Sequence, residues 1–238
     1  MDWLSNPEIW ASLATLTVLE IVLGIDNLVF IAVMAGRLPP HRQGRARRIG
    51  LCLALITRLA LLGAIGWIVG LTQPLLSISG HALSWRDLVL LAGGFFLLYK
   101  GTAEIHHSME EEPASDQSSR KPVGFTAVVV QIMVLDIVFS LDSVITAVGI
   151  ADHFLVMAVA IVIAVLIMLW ASGPLGDFIH NHPSVKMLAL SFLLLIGMTL
   201  IADGAGFHVP KGYIYAAIGF SIGVEALNQI AARRRKTG

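Results

Sequence analysis

Residues 19–27 read Leu-Glu-Ile-Val-Leu-Gly-Ile-Asp-Asn, and residues 135–143 read Leu-Asp-Ile-Val-Phe-Ser-Leu-Asp-Ser. The offset between the two is 116 residues (135 − 19 = 116). Leu, Ile, Val and the second acid match outright, and Glu/Asp, Ile/Leu, Gly/Ser and Asn/Ser are close chemical exchanges. Each copy sets two carboxylates inside an apolar run. Such acids cost about 2.5–3.5 kcal/mol each on insertion scales. A membrane protein keeps them when they bind or relay something cationic. A doubled motif inside a helical bundle is the mark of a transporter built from internal repeats.

The rest of the chain fits that setting. Hydrophobic residues make up 56% of it and charged residues 13%, against about 25% charged in a soluble domain. Mean hydropathy is +0.80. The fold class expected is an all-α membrane protein in a lipid bilayer, with no nucleic-acid partner. The single Cys52 excludes a disulfide framework and any CxxC metal or redox site. The N-terminus lacks the basic region, apolar run and cleavage site of a signal peptide, so the first helix is expected to stay as an anchor.

A spanning helix needs roughly 20 mostly apolar residues. Seven segments qualify, at about 9–35, 49–72, 87–104, 123–150, 154–173, 186–204 and 212–231. Gly173-Pro174 is expected to end the fifth. Orientation follows from Lys and Arg. Thirteen of the sixteen fall on one side: Arg37, Arg42, Arg45, Arg47, Arg48, Lys100, Arg120, Lys121, Lys186 and Arg233–Lys236. Arg86 and Lys211 lie on the other side, and Arg58 lies within helix 2. The N-terminus is therefore expected outside and the C-terminus in the cytoplasm. The first and fourth helices then run in opposite directions. This makes 1–104 one repeat, 105–122 a cytoplasmic linker, 123–204 a second, inverted repeat, and 205–238 an added helix with a basic tail. The linker holds His106, His107 and Glu110–Glu112, read as a solvated connection with metal sensing as the alternative.

Within each motif the acids are six residues apart, about 600° of helix rotation, so they point roughly 120° apart. Joint ligation of one ion requires a local break, which Gly24 and Ser140 are placed to supply. Inverted symmetry puts Glu20 at the depth of Asp142, and Asp26 at the depth of Asp136. Asn27 and Ser143 add neutral oxygens. Carboxylate, amide and hydroxyl oxygens without Cys or His suit a hard dication: Mg²⁺, Ca²⁺ or Mn²⁺. Crowded acids would also take up protons when the ion leaves, a basis for proton–cation exchange.

Arg58 is a counter-ion to an empty carboxylate, or else a structural ion-pair partner. Lys100 is expected to snorkel. Asp203 is a gate acid or an interfacial residue. Glu225 and Asn228 share a face of helix 7, lining a path or bonding within the bundle. Gly93-Gly94 and Gly219-x₃-Gly223 are small-residue faces for helix packing, and the second is compatible with a homodimer. There is no GxxxxGK[ST] for direct use of ATP. Nor is there an HExxH or Ser/His/Asp arrangement, so no enzymatic activity and no cofactor are expected.

The two motifs, together with Ile201-Ala-Asp-Gly204, His208-Val-Pro-Lys-Gly-Tyr213 and Gly223-Val-Glu-Ala-Leu-Asn228, resemble the TerC family, itself similar to the wider LysE-type transporters. The resemblance covers all seven helices. It implies a polytopic inner-membrane protein related to manganese exporters, with metal held at Glu20, Asp26, Asn27, Asp136, Asp142 and Ser143. Some relatives carry cytoplasmic domains after the last helix, and regulation through these is expected to be absent here. The leading expectation is a secondary exporter of Mn²⁺. The alternatives are a transporter of Ca²⁺ or of divalent cations broadly, and a membrane assembly or metallation factor with envelope partner proteins.

Overall fold

A computed structural model describes residues 7–64, 74–78, 81–109, 124–148 and 153–237. The side chains of Asp26, Asp142 and residues 74–78, 81–82, 145–148 and 232–237 lie outside that description. Seven helices are present among the described residues: α1 Pro7–Gly36, α2 Pro40–Gly63, α3 Trp85–Met109, α4 Phe125–Val148, α5 Phe154–Asn181, α6 Pro183–Gly204 and α7 Lys211–Thr237. A short antiparallel ribbon, β1 Pro74–Ile78 with β2 His81–Ser84, precedes α3. By length and composition, α1, α3, α5, α6 and the first 21 residues of α7 are each apolar enough to cross a membrane. Helix α4 adds the apolar stretch Phe125–Leu141. The chain is an all-α membrane protein.

Helix ends follow local chemistry. Pro40 opens α2 and Pro183 opens α6, both at the first turn, where the missing N–H has no partner to lose. Ser84 and Asp87 open α3 with a reciprocal capping box. The Asp87 carboxylate accepts from Ser84 N at 2.8 Å and Ser84 Oγ at 2.7 Å, and Asp87 N donates back to Ser84 Oγ at 3.3 Å. Helix α6 closes on Gly206 at φ 87°. There Phe207 N donates to Ala202 O and Gly206 N to Asp203 O, a Schellman closure that needs a left-handed residue.

Three expected boundaries move. Helix α2 covers 40–63, not 49–72, because the Arg-rich stretch after Pro40 is helical despite its polarity. Residues 65–73 lie outside the described residues, and the β-ribbon follows them. Helix α5 does not stop at Gly173-Pro174 but runs through Pro174 to Asn181. A membrane helix tolerates the lost N–H of a proline when neighbours support it, and the extra turns carry Asp177 to Arg47, 3.6 Å away. Helix α3 extends to Met109 and takes in His106 and His107, while Glu110–Glu112 lie outside the described residues.

Side-chain contacts sort the helix ends onto two faces. On one face, Arg37 Nε meets Glu104 at 2.7 Å, Arg47 meets Asp177, and Ser184 meets Glu225 and Gln229. On the other lie the Ser84–Asp87 cap, the Asp203–His208 pair and Lys211. Successive helices therefore alternate in direction.

The most extensive packing is α3 against α6, with α1 against α5 and α2 against α4 next. The α3–α6 contact is reciprocal. A Cβ on Gly94 would meet Gly197 O at 2.7 Å and Ile201, while one on Gly197 would meet Gly94 O at 3.1 Å and Leu98. Gly101 lies against Leu190 and Leu194, and Gly204 against Asp87 and Leu91. Each helix thus offers two glycines seven residues apart: Gly94 and Gly197 meet at the crossing, while Gly101 and Gly204 lie toward opposite ends of it, each against the partner helix. Close backbone approach through small residues replaces the hydrophobic drive that lipid removes. Helix α7 packs mainly on α6 and leaves Tyr213, Phe220 and Leu227 exposed.

Candidate functional site

Midway along the bundle, α1, α2 and α4 bring four polar side chains to one point. Glu20 and Asn27 are seven residues apart on α1, two helical turns, so they share a face. Asp136 faces them from α4, and Arg58 enters from α2. All four are at most 2% exposed. Arg58 Nη1 donates to Glu20 Oε2 at 2.8 Å. Its Nε and Nη2 both donate to Asp136 Oδ1, at 3.1 and 2.9 Å. Asn27 Nδ2 donates to the same oxygen. Asp136 Oδ2 accepts from Thr57 Oγ1 and from Ser140 Oγ, each at 3.2 Å.

One guanidinium therefore clasps an acid from each of the two motifs. The acceptor capacity is unevenly filled. Asp136 takes five donated bonds, whereas Glu20 Oε1 and Asn27 Oδ1 are buried with no hydrogen-bond partner among the described residues. Buried polar atoms are nearly always satisfied, so two such oxygens beside buried carboxylates are chemically able to accept a further donor or a cation. Among the described residues no group of three or more His, Cys, Asp and Glu comes together.

The expected helix break is absent. Both α1 and α4 are continuous through their motifs. Gly24 instead admits α5, since a Cβ there would lie 2.6 Å from Met168 Sδ. Ser140 spends its hydroxyl on Asp136 one turn back. Asn27, the neighbour of Asp26, bonds Asp136 directly, whereas Glu20 is joined to Asp136 through Arg58. The expected pairing of the acids in depth involves the side chains of Asp26 and Asp142, which lie outside the described residues. The backbones of Asp26 and Asp142 are on α1 and α4, and their side chains lie outside the described residues.

The other candidates are spread out. Ser143 Oγ donates to Ser140 O at 3.2 Å and lines a small cavity of about 60 Å³. That cavity runs from Leu23 and Phe139, at the middle of the two motifs, to Asp203 and Lys211 at the face opposite the basic one. Asp203 accepts from Val209 N at 3.3 Å and lies 3.2 Å from His208 Nδ1, so it ties down the loop after α6 as well as lining the cavity mouth. Toward the basic face, α1 is closed in: Leu28, Phe30, Ile31, Ala32, Val33, Met34 and Ala35 are all buried. Glu225 accepts from Ser184 Oγ at 2.6 Å and Gln229 Nε2 at 2.8 Å, remote from the cluster, and Asn228 is exposed nearby. Lys100 lies near the faces of Phe96 and Tyr99, as a snorkelling lysine does. Thr57 and Ser140 are partners of Asp136 that sequence reasoning misses. A hydroxyl beside an intramembrane arginine, and one four residues after an intramembrane acid, are the signals for them.

A model of the family described as "Integral membrane protein TerC family" matches residues 5–237. The UPF0053 protein YegH of Escherichia coli (strain K12) is 56% identical over 236 residues, 99% of this chain and 45% of its own length. The UPF0053 inner membrane protein YoaE of the same organism is 55% identical over 233 residues, 98% of this chain and 45% of its own. The UPF0053 inner membrane protein YgdQ, also of that organism, is 52% identical over 232 residues, 98% of this chain and 97% of its own. The chain thus spans about half the length of the first two relatives and nearly all of the third. No solved structure matches.

Proposed function

This chain belongs to the TerC family of integral membrane proteins, and on that premise we propose that it is a secondary transporter moving a divalent cation, Mn²⁺ first, out of the cytoplasm. The observation that carries the proposal is the buried meeting of Glu20, Asn27 and Asp136, with Glu20 Oε1 and Asn27 Oδ1 left without partners among the described residues. Oxygen-only ligands suit a hard dication. Asp26, Asp142 and Ser143 complete the ligand set that the repeated motif offers.

The surroundings support alternating access. On one side of the cluster a cavity reaches from Asp203 to Leu23 and Phe139. On the other side the buried run of α1 from Leu28 to Ala35 blocks passage. With the basic face in the cytoplasm, the cavity lies on the outward side of the cluster. The reciprocal α3–α6 glycine contacts, and the matching α1–α5 and α2–α4 packing, support two inverted repeats that rock against each other. Proton return through the vacated carboxylates would balance the charge exported.

The test is Mn²⁺ flux into proteoliposomes holding the purified chain under an imposed pH gradient. Wild type is expected to transport, and Asp26→Asn, Asp136→Asn and Asp142→Asn to lose flux to background. Failure of a folded wild type to move Mn²⁺ or Ca²⁺ under any gradient would transfer the function to assembly or metallation of envelope proteins.

A further inference from the structure

We infer that Arg58 is a tethered cation that occupies the cargo's ligands whenever the cargo is absent, so that binding is an exchange of guanidinium for metal. The inference rests on the transport reading above and names how its site is kept weak enough to release what it binds.

The geometry requires a choice between the two cations. Asp136 Oδ1 already accepts from Arg58 Nε, Arg58 Nη2 and Asn27 Nδ2. A dication bound to that oxygen would sit among three donors whose hydrogens all point at it. It can enter only if the guanidinium withdraws and the Asn27 amide turns, which would present Oδ1 in place of Nδ2. The orphan oxygens fit this exchange. Asn27 Oδ1 and Glu20 Oε1 are the atoms that Arg58 leaves unused.

A purely structural clasp would look different. Structural ion pairs in apolar surroundings persist when their remaining lone pairs are satisfied. Here two buried oxygens are not, among the described residues. The arginine also departs from the internal symmetry of the acids. The motif is doubled, but α5, which packs on α1 as α2 packs on α4, carries no Lys or Arg between Phe154 and Asn181. One cation thus serves both motif acids. A planar fork with five N–H donors holds two carboxylates in a fixed geometry, which the compact point charge of an ammonium does less well.

The experiment is Mn²⁺ binding by calorimetry to the full chain in nanodiscs, beside Mn²⁺ flux in proteoliposomes, for wild type, Arg58→Gln and Arg58→Lys. Removing the competing charge is expected to tighten Mn²⁺ binding about tenfold or more in Arg58→Gln, while flux falls because release slows. Arg58→Lys keeps the charge but gives up the rigid fork and some of its donors, so it tightens binding by a smaller factor. That variant decides alone if Arg58→Gln does not fold. A structural role predicts weaker binding and lower flux together. Unchanged or weaker Mn²⁺ binding in variants that elute and melt like wild type would overturn the inference and leave the transport reading intact, provided wild type still transports. A wild type that neither binds nor moves Mn²⁺ or Ca²⁺ would overturn both.

Discussion

Asp136 shows how much a single buried carboxylate demands of its neighbours. Its Oδ1 is held by charge and its Oδ2 by two hydroxyls, Thr57 Oγ1 and Ser140 Oγ, at equal distance. Thr57 has alternatives, because the same hydroxyl lies within reach of Leu53 O and Ala54 O. Ser140→Ala should therefore cost about 1 kcal/mol, with Thr57 turning fully to the carboxylate. Thr57→Val alone should cost about the same or less. The double variant should cost about 1 kcal/mol more than the two singles together, since Oδ2 then loses every donor described for it. Thermal or denaturant unfolding in micelles measures this, and strict additivity would show that the hydroxyls do not share the oxygen. The sequence points to Asp136 and Arg58 but not to this pair. A Ser or Thr in an apolar helix bonds its own backbone by default, and only the fold reveals when it turns to an acid instead.

Seven helices are legible in the sequence because lipid demands long apolar runs, and hydropathy detects those directly. The boundaries that move share one cause, which is helix whose sequence is polar or interrupted by proline and so escapes a hydropathy search. The front of α2 is Arg-rich and polar, yet Pro40 starts it and Arg47 reaches Asp177. The tail of α5 lies beyond Gly173-Pro174, where a soluble helix would end. The β1–β2 ribbon has strands of only five and four residues, with no apolar alternation strong enough to stand out from its surroundings. The glycine faces are visible in part: Gly93-Gly94 stands out, but the seven-residue spacing to Gly101 and its echo at Gly197 and Gly204 escapes a search for GxxxG. That contact can be tested element against element. In Gly94→Ala the new methyl would press on the backbone Gly197 O at 2.7 Å, which cannot rotate away. In Gly101→Ala it would press on Leu194 Cδ2 at 2.8 Å, which can. Gly94→Ala should cost about 1–3 kcal/mol, and Gly101→Ala clearly less, read as shifts in unfolding midpoint. Equal costs would mean that the backbone at Gly197 gives way as readily as the Leu194 side chain.

At the scale of the whole molecule, the sorted helix ends and the sorted charges make one joint prediction. The contacts place Arg37, Arg47, Glu104, Asp177 and Ser184 at one face, and the α3 cap, Asp203 and the Gly206 turn at the other. Lys and Arg crowd the first face, and basic loops stay in the cytoplasm. The side of the membrane on which the cavity lies depends on this assignment, because its lining ends at Asp203 and Lys211 on the second face. Single cysteines at His41 and at Gly206, in a Cys52→Ser background since Cys52 is itself exposed, should report it in intact cells. A membrane-impermeant maleimide should label Gly206→Cys at once, and His41→Cys only after lysis. The reverse pattern would invert the protein and place the cavity on the cytoplasmic side. Labelling of both positions in intact cells would mean two orientations in one membrane, which a charge bias of thirteen against two residues leaves no physical reason to expect.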